Sequence, residues 1–251
     1  MSNKKNRIVI FSMDDPEITY LFFHSLIQSN IEIHKVFFLE NPKINTRRLI
    51  SIFVSFGINF YSFFIKYFYW NLIKGGRVKK LLDVNEIYNQ KFNNKEFDKI
   101  AKILNSSEVD IILSIFCNAK IPDFILKKAR ITSINMHLGI LPKYRGLMPT
   151  FYSMINNEKY MGYSIHYMND KFDSGDILKS DKIEINYKKN YYTNLINLVK
   201  FSSLDLSMIL KTDLNKIKNI KKNDLAQGSY YGIPKIFELI NYLIIFLKKI
   251  K

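Results

Sequence analysis

Residues 131–178, ITSINMHLGILPKYRGLMPTFYSMINNEKYMGYSIHYMNDKFDSGDIL, decide how this chain is read. Ile131 to His137 is a short β-like run. Side chains alternate faces along a strand, so Asn135 and His137 share one face. Leu138 to Gly146 is a loop broken by Gly139, Pro142 and Gly146. Tyr163 to Met168 is a second strand-like run, leading to Asp173-Ser174-Gly175-Asp176, a turn by composition. An amide, an imidazole and a carboxylate therefore each stand near a strand end, where α/β sheets carry their chemistry.

Imidazole moves protons near neutral pH. A carboxylate beside it orients the ring and holds its charged form. An Asn amide donates to a carbonyl oxygen as negative charge develops there. The three suit acyl transfer in which the attacking atom comes from the substrate, since no Ser or Cys stands among them as a nucleophile. Taken singly, each has a plainer reading: Asn135 a turn cap, His137 a half-buried histidine, Asp173 a turn residue before Gly175. Inside a strand pattern, His166 reads as structural. Tyr144 and Arg145 pin the loop, with an exposed Arg available to a phosphate. The set, not any member, carries the catalytic reading.

Four pieces in order, Asn135-x-His137, Leu141-Pro142-x-Tyr144-Arg145-Gly146, Gly162-x-Ser164-Ile165-His166 and Asp173-x-Gly175-Asp176-Ile177-Leu178, resemble the formyltransferases that use N10-formyltetrahydrofolate. The clear match covers roughly a fifth of the chain, and a looser one extends over the N-terminal half. The resemblance implies that Asn135 polarises the formyl carbonyl, that His137 helps deprotonate the amine, and that Asp173 positions His137 or a water. It places Gly139, Ile140, Leu141 and Pro142 along the folate. Asn169 to Phe172 would lie along the pterin, and the loop of Ala119, Lys120 and Ile121 would enclose it through main-chain groups. One departure is visible: the family often has Ser two residues after the His, and this chain has Gly139. No metal site is expected.

Around this segment, 251 residues with 47% apolar content bury an ample core, and the net charge is +16 with pI near 9.6. A basic balance fits nucleic acid, membrane surface or phosphate-bearing ligands. Lys, Asn and Ile are abundant throughout, so most lysines read as solvated surface. The single Cys117 rules out an internal disulfide and reads as a core or loop-lining residue of a reducing compartment. Met1 to Arg7 is polar and basic, with no signal peptide read there; a cytoplasmic location follows.

Arg7 to Met13 reads as a buried strand. Asp15 is the N-cap and Pro16 the first position of a helix over Ile18 to Gln28. Ile31 to Leu39 is a second strand. This βαβ opening predicts an α/β, Rossmann-like, mostly parallel twisted sheet flanked by helices. It lacks the Gly-rich dinucleotide fingerprint, so a nicotinamide cofactor is not expected. From Asn45 to Ile73, Ser51, Ser55, Asn59, Ser62 and Lys66 draw one polar stripe on an otherwise apolar helix ending near Trp70. The run is too short and too striped to span a bilayer. A helix packed on the sheet is the expectation, and a helix lying on a membrane surface the alternative.

Gly75-Gly76 breaks that helix, and Val78 to Val84 includes a short strand. Lys95 to Leu104 is helical, Val109 to Phe116 a central parallel strand, and Pro122 to Lys128 a short helix. Lys182 to Ile185 is a further strand, Tyr191 to Lys211 a helix and Lys211 to Asn223 a lysine-rich loop. Gly228 to Pro234 is an ordered aromatic loop edging the acceptor site. Ile236 to Lys251 is a helix with a basic end. Residues 1–185 form the catalytic domain and 186–251 a short helical C-terminal extension.

The expected function is transfer of a formyl group from N10-formyltetrahydrofolate to a primary amine, with a nucleotide-linked amino sugar first. Methionyl-tRNA and glycinamide ribonucleotide are the alternatives. The helical reading after Leu178 argues against the β-barrel with which family members grip tRNA. A rival from another class is a non-catalytic, basic, membrane-surface or nucleic-acid-binding protein. A homodimer and peripheral membrane contact are left open.

Overall fold

β1 (Ile8–Ser12) is buried along its whole length, and its alternation explains the layering. Ile8 and Ile10 join one core cluster, while Val9 and Phe11 join another on the opposite face. The structure, a computed structural model, describes residues 6–40, 46–57, 59–69, 76–93, 95–104, 108–117, 119–214, 217 and 219–250. Asn45, Trp70, the rest of the run to Ile73, and Gly75 lie outside the described residues. So does the side chain of Ser62.

α1 (Ile18–Gln28) follows β1 and leads to β2 (Ile33–Leu39). The Asp15 carboxylate accepts from the backbone N–H of Glu17 at 3.0 Å and of Ile18 at 2.6 Å, so it caps the first turn as expected. β3 (Tyr88–Phe92), β4 (Ile111–Ile115) and β5 (Thr132–His137) complete the parallel part of the sheet. α5 (Phe97–Ile103) precedes β4, and α6 (Asp123–Leu126) lies between β4 and β5. β7 (Tyr160–Tyr167) and β8 (Ile177–Glu184) add two antiparallel strands. The order is β3-β2-β1-β4-β5-β7-β8. The strand order reverses between β1 and β4, which run parallel, and at such a point open α/β sheets form their binding crevice.

Two expectations need correction. Val78 to Val84 is not a strand but belongs to α4 (Arg77–Val84): Val78 and Leu82, one turn apart, both point into the core. The edge strand is β3, which follows it. The run expected as one helix is two, α2 (Thr46–Phe56) and α3 (Asn59–Phe68), interrupted where Gly57 adopts φ +53°. The polar stripe is split with the helix: its α2 part turns inward, while Lys66 of α3 is exposed. Ser51 and Ser55 are 1% and 0% exposed, while Leu49 and Ile50 are exposed.

β6 (Tyr144–Gly146) lies within the loop after β5 and pairs with β9 (Ser229–Tyr231), so the aromatic loop at 228–234 is ordered by a small second sheet. α7 (Pro149–Ile155) follows β6. α8 (Tyr191–Lys211) opens on Asn190, whose side chain accepts from Thr193 N–H and donates to Phe56 O at 2.6 Å. Leu195, Leu198, Val199, Leu206 and Leu210 of α8 enter the same core as Phe22, Leu113 and Ile134. α9 (Ile236–Ile250) attaches through Leu239 and Tyr242.

Leu198 is fully buried, so Leu198→Ala is expected to cost about 2–5 kcal/mol in urea unfolding. A loss under about 1 kcal/mol would show that α8 does not share the sheet's core.

Candidate active site at the carboxyl end of the sheet

In β5, Ile134 and Met136 enter the main core, which turns Ser133, Asn135 and His137 to the other face. There α6 covers the lower level: Ser133 Oγ donates to Leu126 O at 2.9 Å. Asn135 and His137 lie beyond that cover, Asn135 half-buried and His137 buried. The antiparallel register of β5 and β7 sets Asn135 opposite His166 and His137 opposite Ser164. Directly opposed residues share a face, so His166 and Ser164 enter the site.

The polar groups converge. Asn135 Nδ2 lies 3.0 Å from His166 Nε2 and 3.5 Å from Asp173 Oδ1. His137 Nδ1 is 3.4 Å and His166 Nε2 3.6 Å from the same oxygen. The second oxygen, Asp173 Oδ2, accepts from Gly146 N–H at 2.8 Å. Burial pushes the Asp173 carboxyl up. The charge of His137, the hydrogen bond from His166 and the Gly146 N–H outweigh it, and hold the carboxyl well below the usual range.

Main-chain carbonyls only accept, and this assigns the ring protons. His137 Nε2 is 2.7 Å from Tyr144 O and therefore donates, leaving Nδ1 to face Asp173. His166 Nδ1 is 2.7 Å from Tyr167 O and donates likewise; its Nε2 donates to Asp173 when the ring is charged and accepts the Asn135 amide when it is neutral. With the His137 ring neutral, its Nδ1 and one carboxylate oxygen stand side by side as acceptors, with an amide N–H beside them; with the ring charged, Nδ1 donates to that oxygen.

Asp173 reaches this position from a left-handed conformation, φ +48°. Asn223 Nδ2 holds the turn by donating to Asp173 O at 3.0 Å and Gly175 O at 3.1 Å. Gly175 must lack a side chain, because a Cβ would sit 2.0 Å from Tyr167 O.

The loop expected along the folate also supports His137. A Cβ on Gly139 would lie 2.6 Å from His137 Nε2, from Pro149 Cβ and from Tyr144 O. Glycine here, in place of serine, lets the loop pack directly on the imidazole. Ser164 Oγ donates to Gly139 O at 2.9 Å and accepts from Leu141 N–H at 3.0 Å. Gly139 and Leu141 are buried, while Ile140 and Pro142 are partly exposed.

The other residues implicated by resemblance are more open. Lys120 is exposed, whereas Ala119 and Ile121 pack on the second core cluster with Met168. Phe172 is exposed, and its carbonyl accepts from Arg145 Nη2 at 3.1 Å. Asn169 Oδ1 accepts from Lys171 N–H and Ser174 Oγ. Cys117 is half-buried, and loss of hydration pushes its thiol up to about 11, the state of an inert packing residue. Among the described residues no cluster of three His, Cys, Asp or Glu could hold a metal.

Sequence reasoning gave His166 a structural role; the structure brings it beside Asn135 and Asp173. It assigned no role to Ser164 and missed Asn223. The strand register could have revealed the first two, because the alternation of Tyr163 and Ile165 inward turns Ser164 and His166 to the site. Nothing local marked Asn223, which sits in a lysine-rich stretch.

A neighbouring groove of about 530 Å³ is lined by Arg47, Leu147, Tyr152, Tyr230, Tyr231 and Lys235, among others. It adjoins the cluster through β6, since Leu147 follows Gly146 and donates its N–H to Tyr231 O at 2.9 Å. Arg145 sits over the Tyr230 ring at 5.7 Å, with a buried Nε lacking a hydrogen-bond partner.

The family model described as formyl transferase matches residues 75–201, half of the chain. The chain is 34% identical over 137 residues to methionyl-tRNA formyltransferase of Mycoplasmopsis pulmonis, covering 51% of this chain and 47% of that protein. To GDP-perosamine N-formyltransferase of Brucella melitensis it is 32% identical over 124 residues, 49% of this chain and 47% of that one. It spans about half the length of these curated relatives. Its fold is also that of an N-formyltransferase from Helicobacter canadensis, solved in complex with folinic acid and dTDP-3-aminofucose. There the TM-score is 0.59 at 14% identity, covering 96% of this chain and 80% of the other.

Asn223→Ala leaves the Asp173 and Gly175 carbonyls without their donor and is expected to cost about 1–3 kcal/mol in urea unfolding; a loss under about 0.5 kcal/mol would show that the Asp173 turn needs no clamp. A depressed carboxyl contributes stability that is present above its ordinary value, about 4, and lost as pH falls below it. Asp173→Asn should therefore flatten the acid limb of the stability–pH curve from about pH 4 downward.

Proposed function

The chain belongs to the formyl transferase family, and on that premise we propose that it moves a formyl group from N10-formyltetrahydrofolate to the amine of a nucleotide-linked amino sugar. The observation that carries the reading is the convergence of Asn135 and His137 on Asp173, each within 3.5 Å of its carboxylate, at the carboxyl end of the sheet. The donor set fits the group transferred: an amide donor, a base and an anion, with no protein nucleophile among them.

The folate supplies an activated formyl carbon. Asn135, its amide oriented by His166, directs an N–H at the formyl oxygen as charge builds there. His137 uses Nδ1 to take the proton released as the amine nitrogen bonds to that carbon. Asp173, 3.4 Å away, stabilises the imidazolium that forms. The bond from the formyl carbon to N10 then breaks, and His137 returns the proton to the departing nitrogen. Products are the formamide and tetrahydrofolate, with protons balanced. His166 is a positioning residue. Ile140, Pro142 and the segments 119–121 and 169–172 border the folate.

Support for the acceptor class comes from the groove beside β6. Arg47 and Lys235 suit a diphosphate, and the exposed Tyr230 ring offers a face to a base. Perosamine and aminofucose nucleotides appear in the names of related proteins.

Incubation with the formyl donor and a panel of nucleotide amino sugars, glycinamide ribonucleotide and methionyl-tRNA, followed by mass spectrometry, tests the proposal. An amino-sugar nucleotide should gain the formyl group; formylation of tRNA alone would refute the acceptor. His137→Ala should slow turnover by about 10²–10⁴-fold, and Asn135→Ala by about 10²–10³-fold. Wild-type rates in both would remove the catalytic assignment.

A further inference from the structure

A helix on a globular core normally hides its apolar stripe. α9 shows the opposite over most of its length. Ile236, Ile240, Leu243, Ile244 and Leu247, at one-turn spacings, are all exposed, Ile236 by 63% and Leu247 by 61%, while Leu239 and Tyr242 hold the helix to the core. α2 runs beside it with the same inversion: Ser51 and Ser55 inward, Leu49 and Ile50 outward. The helices are joined at one end. Arg47 donates to Ile233 O at 2.8 Å, and Ile50 and Ile236 line one cleft with Arg47 and Lys235. The result is one apolar face shared by two helices, larger than scattered surface leucines explain.

Charge identifies what covers it. α2 carries Arg47 and Arg48 and no Asp or Glu; further along, Lys66 and Arg77 are paired with Glu17 and Lys79 with Asp83. Around α9, Lys235, Lys248, Lys249 and Lys251 stand against Glu238 alone. The Glu238 carboxylate is occupied, accepting from Lys235 N–H and from Tyr152 Oη at 3.3 Å. Two copies pairing through this face would bring like charges together, in a chain that carries +16. An anionic bilayer offers hydrocarbon to the stripe and phosphates to its basic margins. Among the described residues no helix is long and apolar enough to cross a membrane.

We propose that the α2–α9 face docks on an anionic lipid surface. Ile50, Ile236, Ile240 and Leu247 enter the headgroup boundary, and the flanking Lys and Arg meet lipid phosphates. The groove lined by Arg47, Lys235 and Tyr230 opens at the edge of this face, so docking also brings the acceptor groove to the membrane. The inference stands apart from the formyl-transfer reading, because binding is measured without turnover.

The test is co-sedimentation of the full chain with phosphatidylcholine vesicles and with vesicles containing phosphatidylglycerol, at graded salt. Binding should appear on the anionic vesicles and weaken with salt. Ile240→Glu with Leu247→Glu should lower partitioning more than tenfold, with circular dichroism checking the fold. Lys248→Gln with Lys249→Gln, which leaves the apolar face intact, should lower it about fivefold per lysine. Equal binding to neutral and anionic vesicles, absence of vesicle binding, or insensitivity to both double variants would overturn the proposal. So would a stable dimer in sedimentation equilibrium that the glutamate pair dissociates, with no vesicle binding.

Discussion

Everything at the carboxyl end of this sheet is arranged around one buried carboxylate. Removing an ionised Asp from water costs several kcal/mol unless partners replace its hydration. Asp173 gets them from His137, His166 and the Gly146 N–H, and its carboxyl stays ionised despite burial. Those partners come from β5, β7 and β6, and the turn that carries Asp173 is held by Asn223 from a fourth segment. The carboxylate is therefore both the electrostatic anchor of the site and the tie among elements distant in the chain.

Close packing turns that tie into geometry. The register of β5 on β7 places His166 beside Asn135; a slip of one residue would put Ile165 there instead. The absence of a side chain at Gly139 lets the loop close on the His137 ring, and Ser164 bonds both ends of that approach. His137 is thereby held to Tyr144 O through Nε2, which directs its basic nitrogen at Asp173. Residues that look like a ligand wall in the sequence thus also act as the support beneath the imidazole.

The outer helices follow a different logic. Ser51 and Ser55 are small enough to let α2 approach its neighbours closely, and that approach turns Leu49 and Ile50 outward. Hydrophobic periodicity reports that a helix has two faces; it does not report which face meets the core. Here tertiary neighbours choose the polar one for α2 and only a narrow strip of α9, leaving apolar surface bordered by basic residues.

Local chemistry alone determined much of this protein. Buried β-branched and aromatic runs specified β1, β2 and β4; Asp15 and Pro16 specified the start of α1; the Asn135–His137 spacing placed two polar groups on one strand face, because strand alternation is a local property. The βαβ opening was enough for the sheet class. Val78 to Val84 was not legible, since a short apolar run fits strand or helix until burial selects the one-turn spacing of Val78 and Leu82. Nor were His166 and Asn223 as members of the site. Their roles arise from strand register and from a return of the chain some fifty residues later, and long-range pairing of that kind leaves no periodic mark in the residues themselves.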